Sequence, residues 1–345
     1  MKTKILTFIK FALFLAFGGL LLWLALAGQD IEEMKIQIQE ADYSWVAFSI
    51  ILGLLSHLSR AIRWNMLIVP LGYKPKLYNT FFAVMIGYFA NLAIPRLGEV
   101  TKCGVLKKYE NIPVNRLIGT MIVERSVDLI TLILILVLVV ITQFELLNQL
   151  FMDLIFQPLS EKVANNFIWM IVIIGSLLLP VVLIFVFIER IRKTAIYMKV
   201  TDLLIGMWEG IKSIKQMENK FLFLLHSVLI WGLYFLMAYV CFFAMDATDH
   251  LGLMAGLSVL AFGSIGMVAP VQGGIGAYHL MVRETLKLYG IAEPAAKGFA
   301  VIIHGAQTFI LILFGFISLI LLPILNKKTN ETVEVGVDTA EAGSA

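Results

Sequence analysis

The sequence predicts an all-α, polytopic integral membrane bundle interrupted by two re-entrant, broken-helix hairpins in an inverted repeat. Three observations predict it. Of 345 residues, 60% are hydrophobic and 15% charged, with a mean hydropathy of +0.89, outside the range of soluble domains, where apolar residues make up about half. Apolar runs of bilayer length recur along the chain, a span needing about 20 apolar residues. Two further apolar runs are cut short by Pro and Gly, near Pro95 and near Pro270. The connections between runs are short and polar, so no separate soluble domain fits among them, and any enzyme would have to work within the membrane. Cys103 and Cys241 lie far apart and form neither a disulfide framework nor a metal-ligand pattern.

Taken in order, the first run covers residues 11–27, after Lys2, Lys4 and Lys10. It ends in Ala25-Leu26-Ala27, which suits a signal peptidase, but it is long for a signal peptide and serves as well as a first span. Further spans are expected at 45–69, 117–141, 167–188, 221–245 and 298–322. The stretch 81–94 is too short, holds Gly87 and Asn91, and stops at Pro95. The stretch 251–269 runs into Pro270 and a glycine cluster, and a short, partly polar helix follows at 277–289. Residues 189–219 place Leu203, Met207, Ile211 and Ile214 at helical spacing among lysines, the pattern of an amphipathic helix on the cytoplasmic surface. That helix would link two halves at about 43–141 and 220–322, within one transmembrane domain covering 1–325. Residues 326–345 turn acidic and small and are expected to be disordered.

Charge sets the orientation, because cytoplasmic loops retain Lys and Arg. Lys2, Lys4 and Lys10 put the N-terminus inside, Lys327 and Lys328 the C-terminus, and acidic loops at 30–42 and 145–161 outside. Lys74 and Lys76 lie inside, and so does the basic segment holding Arg96, Lys102, Lys107, Lys108 and Arg116. The chain between them must therefore enter the membrane and return, a hairpin over about 79–107. The region from Asp249 to Glu293 can enter and return from the outside, although two full spans would give the same sidedness. The protein is accordingly expected to be a multi-pass protein of the cytoplasmic membrane.

The two irregular regions read alike. Ala90-Asn91-Leu92-Ala93-Ile94-Pro95-Arg96-Leu97-Gly98-Glu99 and Ser264-Ile265-Gly266-Met267-Val268-Ala269-Pro270-Val271-Gln272-Gly273-Gly274 share Pro-x-x-Gly after a small-residue apolar run. The spans that follow align loosely, Glu124 falling beside His304. Hairpins entering from opposite sides characterise inverted-topology transporters, whose paired broken helices mark a site near the midplane. Pro and Gly that merely end two helices would leave the same trace.

Several polar residues stand where lipid would make them costly. Glu124, Arg125 and Asp128 lie inside or at the edge of a span, where an ionised group costs about 2.5–3.5 kcal/mol and faces a partner or water. Either Glu124 or Asp128 pairs with Arg96 or Arg125 to fix helix packing, or these residues touch a ligand. His57, Arg60 and Arg63 recur every third residue beside Trp64. They either snorkel to the interface or bind a lipid phosphate, which guanidinium matches in a bidentate way. The Gly273-Gly274-Ile275-Gly276 run opens a helix whose amides suit an anion, or it is a simple turn. Gln272, His279, Arg283 and Glu284 make a buried polar loop the expectation there. His304 reads as a hydrogen-bonded packing residue or a proton relay. No nucleophile elbow, P-loop, zinc-binding pair or catalytic carboxylate pair is legible, so neither catalysis nor a cofactor or metal is expected.

The run Gly87 to Glu99, the Glu124-Arg125 pair with Asp128, and Pro270 to Gly276 together resemble the flippase-like transmembrane domain of bacterial lysylphosphatidylglycerol synthases and its stand-alone relatives. The likeness covers about residues 10–325. In the synthases this domain is joined to a cytoplasmic acyltransferase-like domain that makes the aminoacyl lipid, and nothing in these 345 residues reads as that domain. The resemblance therefore implies lipid translocation rather than synthesis. Many relatives carry Arg where His304 stands. The expected substrate is a phospholipid or other phosphate-bearing or anionic lipid, entering a polar cavity between the hairpins. Arg60, Arg63, Arg96 and Arg125 would attract the head group while Glu99, Glu124 and Asp128 hold those arginines. Asn91, Pro95, Gly98, Pro270, Gln272, Gly273, Gly274, Gly276 and His304 would shape the path. Membrane lipids are the expected partners, with a separate lipid-modifying enzyme as a second, and nucleic acid is not. An intramembrane enzyme acting on a lipid or polyprenyl-phosphate head group, and a non-transporting scaffold for a lipid synthase, are the alternatives.

Overall fold

A computed structural model describes residues 38–145 and 219–327, with Lys35, Ile36, Asn148, Tyr197 and Met217 besides. The run at 11–27, the span at 167–188, the linker expected at 189–219 apart from three of those positions, and the tail beyond Lys327 lie outside the described residues. By its internal contacts the chain divides into one unit of residues 1–124 and 217–345 and a second of residues 125–216.

The described residues form α-helices with short 3-10 turns and no strand: α1 (Tyr43–Ile68), α2 (Leu77–Ala93), α3 (Leu97–Glu110), α4 (Val114–Thr142), α5 (Lys220–Val240), α6 (Leu253–Val268), α7 (Ala277–Leu288) and α8 (Glu293–Leu325). Four helical segments are long and apolar enough to cross a membrane: Tyr43–Leu71, Val114–Thr142, Lys220–Ala244 and Glu293–Leu325. Local chemistry sets several of the helix ends. Asp42 caps α1 by accepting from the Ser44 N–H at 2.9 Å. Pro70 and Gly72 (φ 89°) turn the chain after it. Ile94, extended ahead of Pro95, stops α2, and Pro294 suits the first turn of α8.

Hydrogen bonds fix which ends lie together. The Lys76 N–H and the Asn79 amide both donate to Glu110 Oε1, at 2.9 and 2.6 Å, and Asn79 and Asn326 exchange amide bonds of 3.1 and 2.8 Å. The start of α2, the end of α3 and the end of α8 therefore share one lysine-rich end of the unit. Asn326, placed in the tail by sequence, is buried there. At the opposite end the Asp42 N–H donates to the Ala244 carbonyl at 2.8 Å, and Tyr289 Oη lies 2.9 Å from Ser258 Oγ and donates to the Met254 carbonyl.

Two helical hairpins of opposite direction result. α2 leaves the lysine-rich end and α3 returns to it; α6 leaves the opposite end and α7 returns there. α2 has 17 residues and α6 has 16, about 26 and 24 Å at 1.5 Å per residue, short of the roughly 30 Å hydrocarbon core. In order the chain reads span, hairpin, span (α1, α2–α3, α4), then span, hairpin, span in reverse (α5, α6–α7, α8). The second irregular region is thus a hairpin and not two full spans.

Glycine closes each hairpin. A Cβ on Gly98 would run into the Gly87 carbonyl, and one on Gly266 would lie 2.8 Å from the Ala277 oxygen and the Tyr278 Cα, so the limbs touch backbone to backbone. The tips meet as well: a Cβ on Gly273 would reach Leu92 Cδ2 at 2.8 Å.

Candidate functional site

Glu124 is the centre of the first half. It has no exposed surface. Its Oε1 accepts from Arg60 Nη1 at 2.9 Å and lies 3.8 Å from Arg63 Nη2, while Oε2 accepts from Lys102 Nζ at 2.6 Å. The three cations are themselves only 4%, 0% and 5% exposed. Helical spacing brings Arg60, Arg63 and Trp64 to one side of α1, and Lys102 comes from midway along α3. Trp64 Nε1 donates to Thr120 Oγ1 at 2.9 Å, and its ring lies 4.3 Å from Lys102 Nζ, a cation–π contact. On the α5 side, Arg60 donates to Tyr234 Oη (3.4 Å), Arg63 donates to Ser227 Oγ (3.2 Å), and His226 Nδ1 lies 2.8 Å from Ser59 Oγ. His57 packs between Tyr88 and Tyr234, its buried Nδ1 lacking a hydrogen-bond partner among the described residues.

Of the two expectations for Arg60 and Arg63, snorkelling is corrected: both are buried, turned inward to the Glu124 carboxylate on the facing helix. Pairing of Arg96 with Glu124 is likewise corrected, since Lys102 and the α1 arginines occupy the carboxylate. Arg125 and Asp128, in the second unit, lie 3.9 Å apart at i,i+3 spacing. Glu99 sits in the first turn of α3, where the helix dipole favours an anion.

The tip of the first hairpin carries Arg96, which corrects its place in the cytoplasmic basic segment: Pro95 turns the chain there, at the end of α2 away from Lys76 and Glu110. Its backbone is left-handed (φ 65°), a rare conformation for a residue with a Cβ. Its side chain is exposed, and among the described residues it has no ion pair or hydrogen bond. Asn91 Oδ1 accepts from the Gly98 N–H at 2.7 Å, satisfying one of the amides that open α3. Asn91, Pro95 and Gly98 therefore build the tip that presents Arg96.

In the second hairpin Gly273, Gly274 and Gly276 all have positive φ (56°, 78° and 81°), which glycine adopts freely. The N–H groups of Gly274, Ile275 and Gly276 donate to the Val271 carbonyl, the Gln272 carbonyl and His279 Nδ1. These amides are engaged within the loop instead of turned toward an anion. Pro270 precedes the loop and Gln272 is buried in it. His304 Nε2 donates to the Gly273 carbonyl at 2.8 Å, its ring stacked on Tyr278 and perpendicular to His279 at 4.6 Å. Glu124 and His304, aligned in sequence, each hold the hairpin of their own half. At the base of this hairpin Arg283, Glu284, Lys287, Glu293 and the buried Lys297 form a network of ion pairs.

Sequence reasoning missed Lys102. It was counted among loop charges, yet Gly98, Lys102, Cys103 and Leu106 are the buried residues of α3 and fall on one helical face. That periodicity was the available signal. Tyr234, Ser227 and Thr120 carried none.

The model of the family described as the lysylphosphatidylglycerol synthase TM region matches residues 8–315. Among curated proteins, the chain is 30% identical over 162 residues to a UPF0104 membrane protein of Methanocaldococcus jannaschii, covering 45% of this chain and 46% of that protein. It is 31% identical over 104 residues to the glycosyltransferase AglD of Haloferax volcanii, covering 30% of this chain and 17% of that one. The chain thus spans about half the length of the first relative and far less of the second. No solved structure matches.

Proposed function

The chain belongs to the lysylphosphatidylglycerol synthase transmembrane-region family, and from that membership and its site we propose that it moves phosphate-bearing or anionic lipids between leaflets of the cytoplasmic membrane and is not an enzyme. One observation carries the reading. Two hairpins enter from opposite ends and touch at Leu92 and Gly273, and the turn that follows Leu92 carries the exposed Arg96, which has no ion pair or hydrogen bond among the described residues. A contact between two short tips is a thin barrier, and a cation there offsets the cost of bringing a phosphate to membrane depth. In this reading Arg96 meets the head group, while Glu124 holds Arg60, Arg63 and Lys102 in a buried cluster that fixes α1 against α3. The lysine-rich end faces the cytoplasm, as retention of basic residues inside requires, and both termini with it. No nucleotide-binding motif is legible, so movement is passive or coupled to ions.

Reconstituted in proteoliposomes, the protein is expected to accelerate transbilayer movement of fluorescent phosphatidylglycerol above protein-free vesicles. No acceleration across a broad panel of lipids would overturn the proposal. A new lipid product in the same vesicles would favour catalysis instead.

A further inference from the structure

A cleft of about 310 Å³ opens between α3 and α8, with α2 as its floor, within the size range of sites that hold small molecules (roughly 300–1,000 Å³). Its walls include Val105, Leu319 and Leu322, and its rim carries Tyr109 and Lys108. Thr101, Gly104, Val105 and Lys108 all line it and recur on one face of α3. Gly104 makes the space: a Cβ built on it meets nothing within 4 Å. The neighbouring surface of α8 exposes Phe309, Phe316 and Ile320, so on a membrane-spanning helix the cleft opens toward acyl chains.

The charge sits at one end of it, while Thr101, toward the other, donates its hydroxyl to the Leu97 carbonyl at 2.9 Å. Lys108 lies two residues before Glu110, which binds the Lys76 and Asn79 groups at the lysine-rich end, the level at which lipid head groups lie. Its exposed Nζ sits 5.1 Å from the centre of the Tyr109 ring. Within α8, Pro323 lacks the N–H that would bond the Leu319 carbonyl, which adds an acceptor to the same wall.

We propose that this cleft is a lipid-binding site, seating one acyl chain of a glycerophospholipid against Val105, Leu319 and Leu322 with its anionic head group on Lys108. Charge complementarity selects that occupant: an apolar slot ending in an ammonium at head-group depth fits a chain ending in a phosphate. The site requires that the helices span a membrane, and it does not require that the protein transport lipid.

The full chain is reconstituted in phosphatidylcholine vesicles with either a photoactivatable phosphatidylglycerol or a photoactivatable phosphatidylcholine. Adducts are mapped by mass spectrometry after irradiation. Adducts are expected to concentrate on Val105, Leu319 and Leu322 relative to exposed Phe309, and to favour phosphatidylglycerol by roughly fivefold, the effect of one basic residue at an anionic lipid surface. Gly104→Trp, or the smaller Gly104→Leu should the first not fold, is expected to abolish cleft labelling while Phe309 labelling persists. Lys108→Glu is expected to remove the lipid preference. Equal labelling of cleft and Phe309, no effect of filling the cleft, or equal labelling by the two lipids would overturn the proposal. Cleft labelling alongside failed transport would overturn only the transport reading.

Discussion

Glu124 shows how one residue organises half of the site. Removing ions from water costs several kcal/mol each, and only close pairing offsets that cost. Here one carboxylate serves Arg60 and Lys102 directly and Arg63 at longer range. Glu124→Gln keeps the shape and removes the charge. Thermal and denaturant unfolding in detergent is expected to show a loss of about 3–5 kcal/mol, and Lys102→Met in the same chain is expected to return part of it through their coupling. Unchanged stability would mean that the carboxylate does not anchor the cluster. The need for a partner to Glu124 was legible, since a charged residue in a span requires one. Its partners were not, because pairing across α1, α3 and α4 depends on which faces the folded helices turn to one another.

At the scale of elements, the hairpins depend on glycine where limbs touch and not elsewhere. Gly98→Ala is expected to open the first hairpin, because its Cβ would enter the Gly87 carbonyl; Gly104→Ala on the same helix meets open space and is expected to stabilise by up to about 1 kcal/mol through helix propensity. Melting temperatures of the two variants should move in opposite directions. The spans were legible to within a few residues: 45–69 was expected for Tyr43–Leu71 and 221–245 for Lys220–Ala244. The last span begins earlier than expected, at Glu293, because Glu293 and Lys297 pair within its first turn and so remain helical despite their charge. The shared Pro-x-x-Gly was legible too, but its glycines do different work. Gly98 packs within a helix, whereas Gly273 is a left-handed turn residue against the other tip, and backbone conformation at that level leaves no trace in a short motif.

At the scale of the whole molecule, alternating direction was the strongest inference available from charge alone. Hydrogen bonds among Asn79, Glu110 and Asn326 put the lysine-rich segments at one end. Single cysteines at Lys74, Lys107 and Lys327 are expected to react with an impermeant thiol reagent from the same face of oriented vesicles. A cysteine at exposed His250 should react only from the other. Mixed labelling would break the inverted arrangement.

Lipid movement at the meeting of the tips is the central claim, and Arg96 tests it most directly. Asn tolerates the left-handed backbone at this position, so Arg96→Asn removes the charge without straining the turn, and Arg96→Lys retains the charge. In proteoliposomes the Asn variant is predicted to move phosphatidylglycerol roughly tenfold or more slowly than the unaltered protein, the loss of one charged hydrogen bond, with the Lys variant between them. Equal rates for all three proteins would contradict the account.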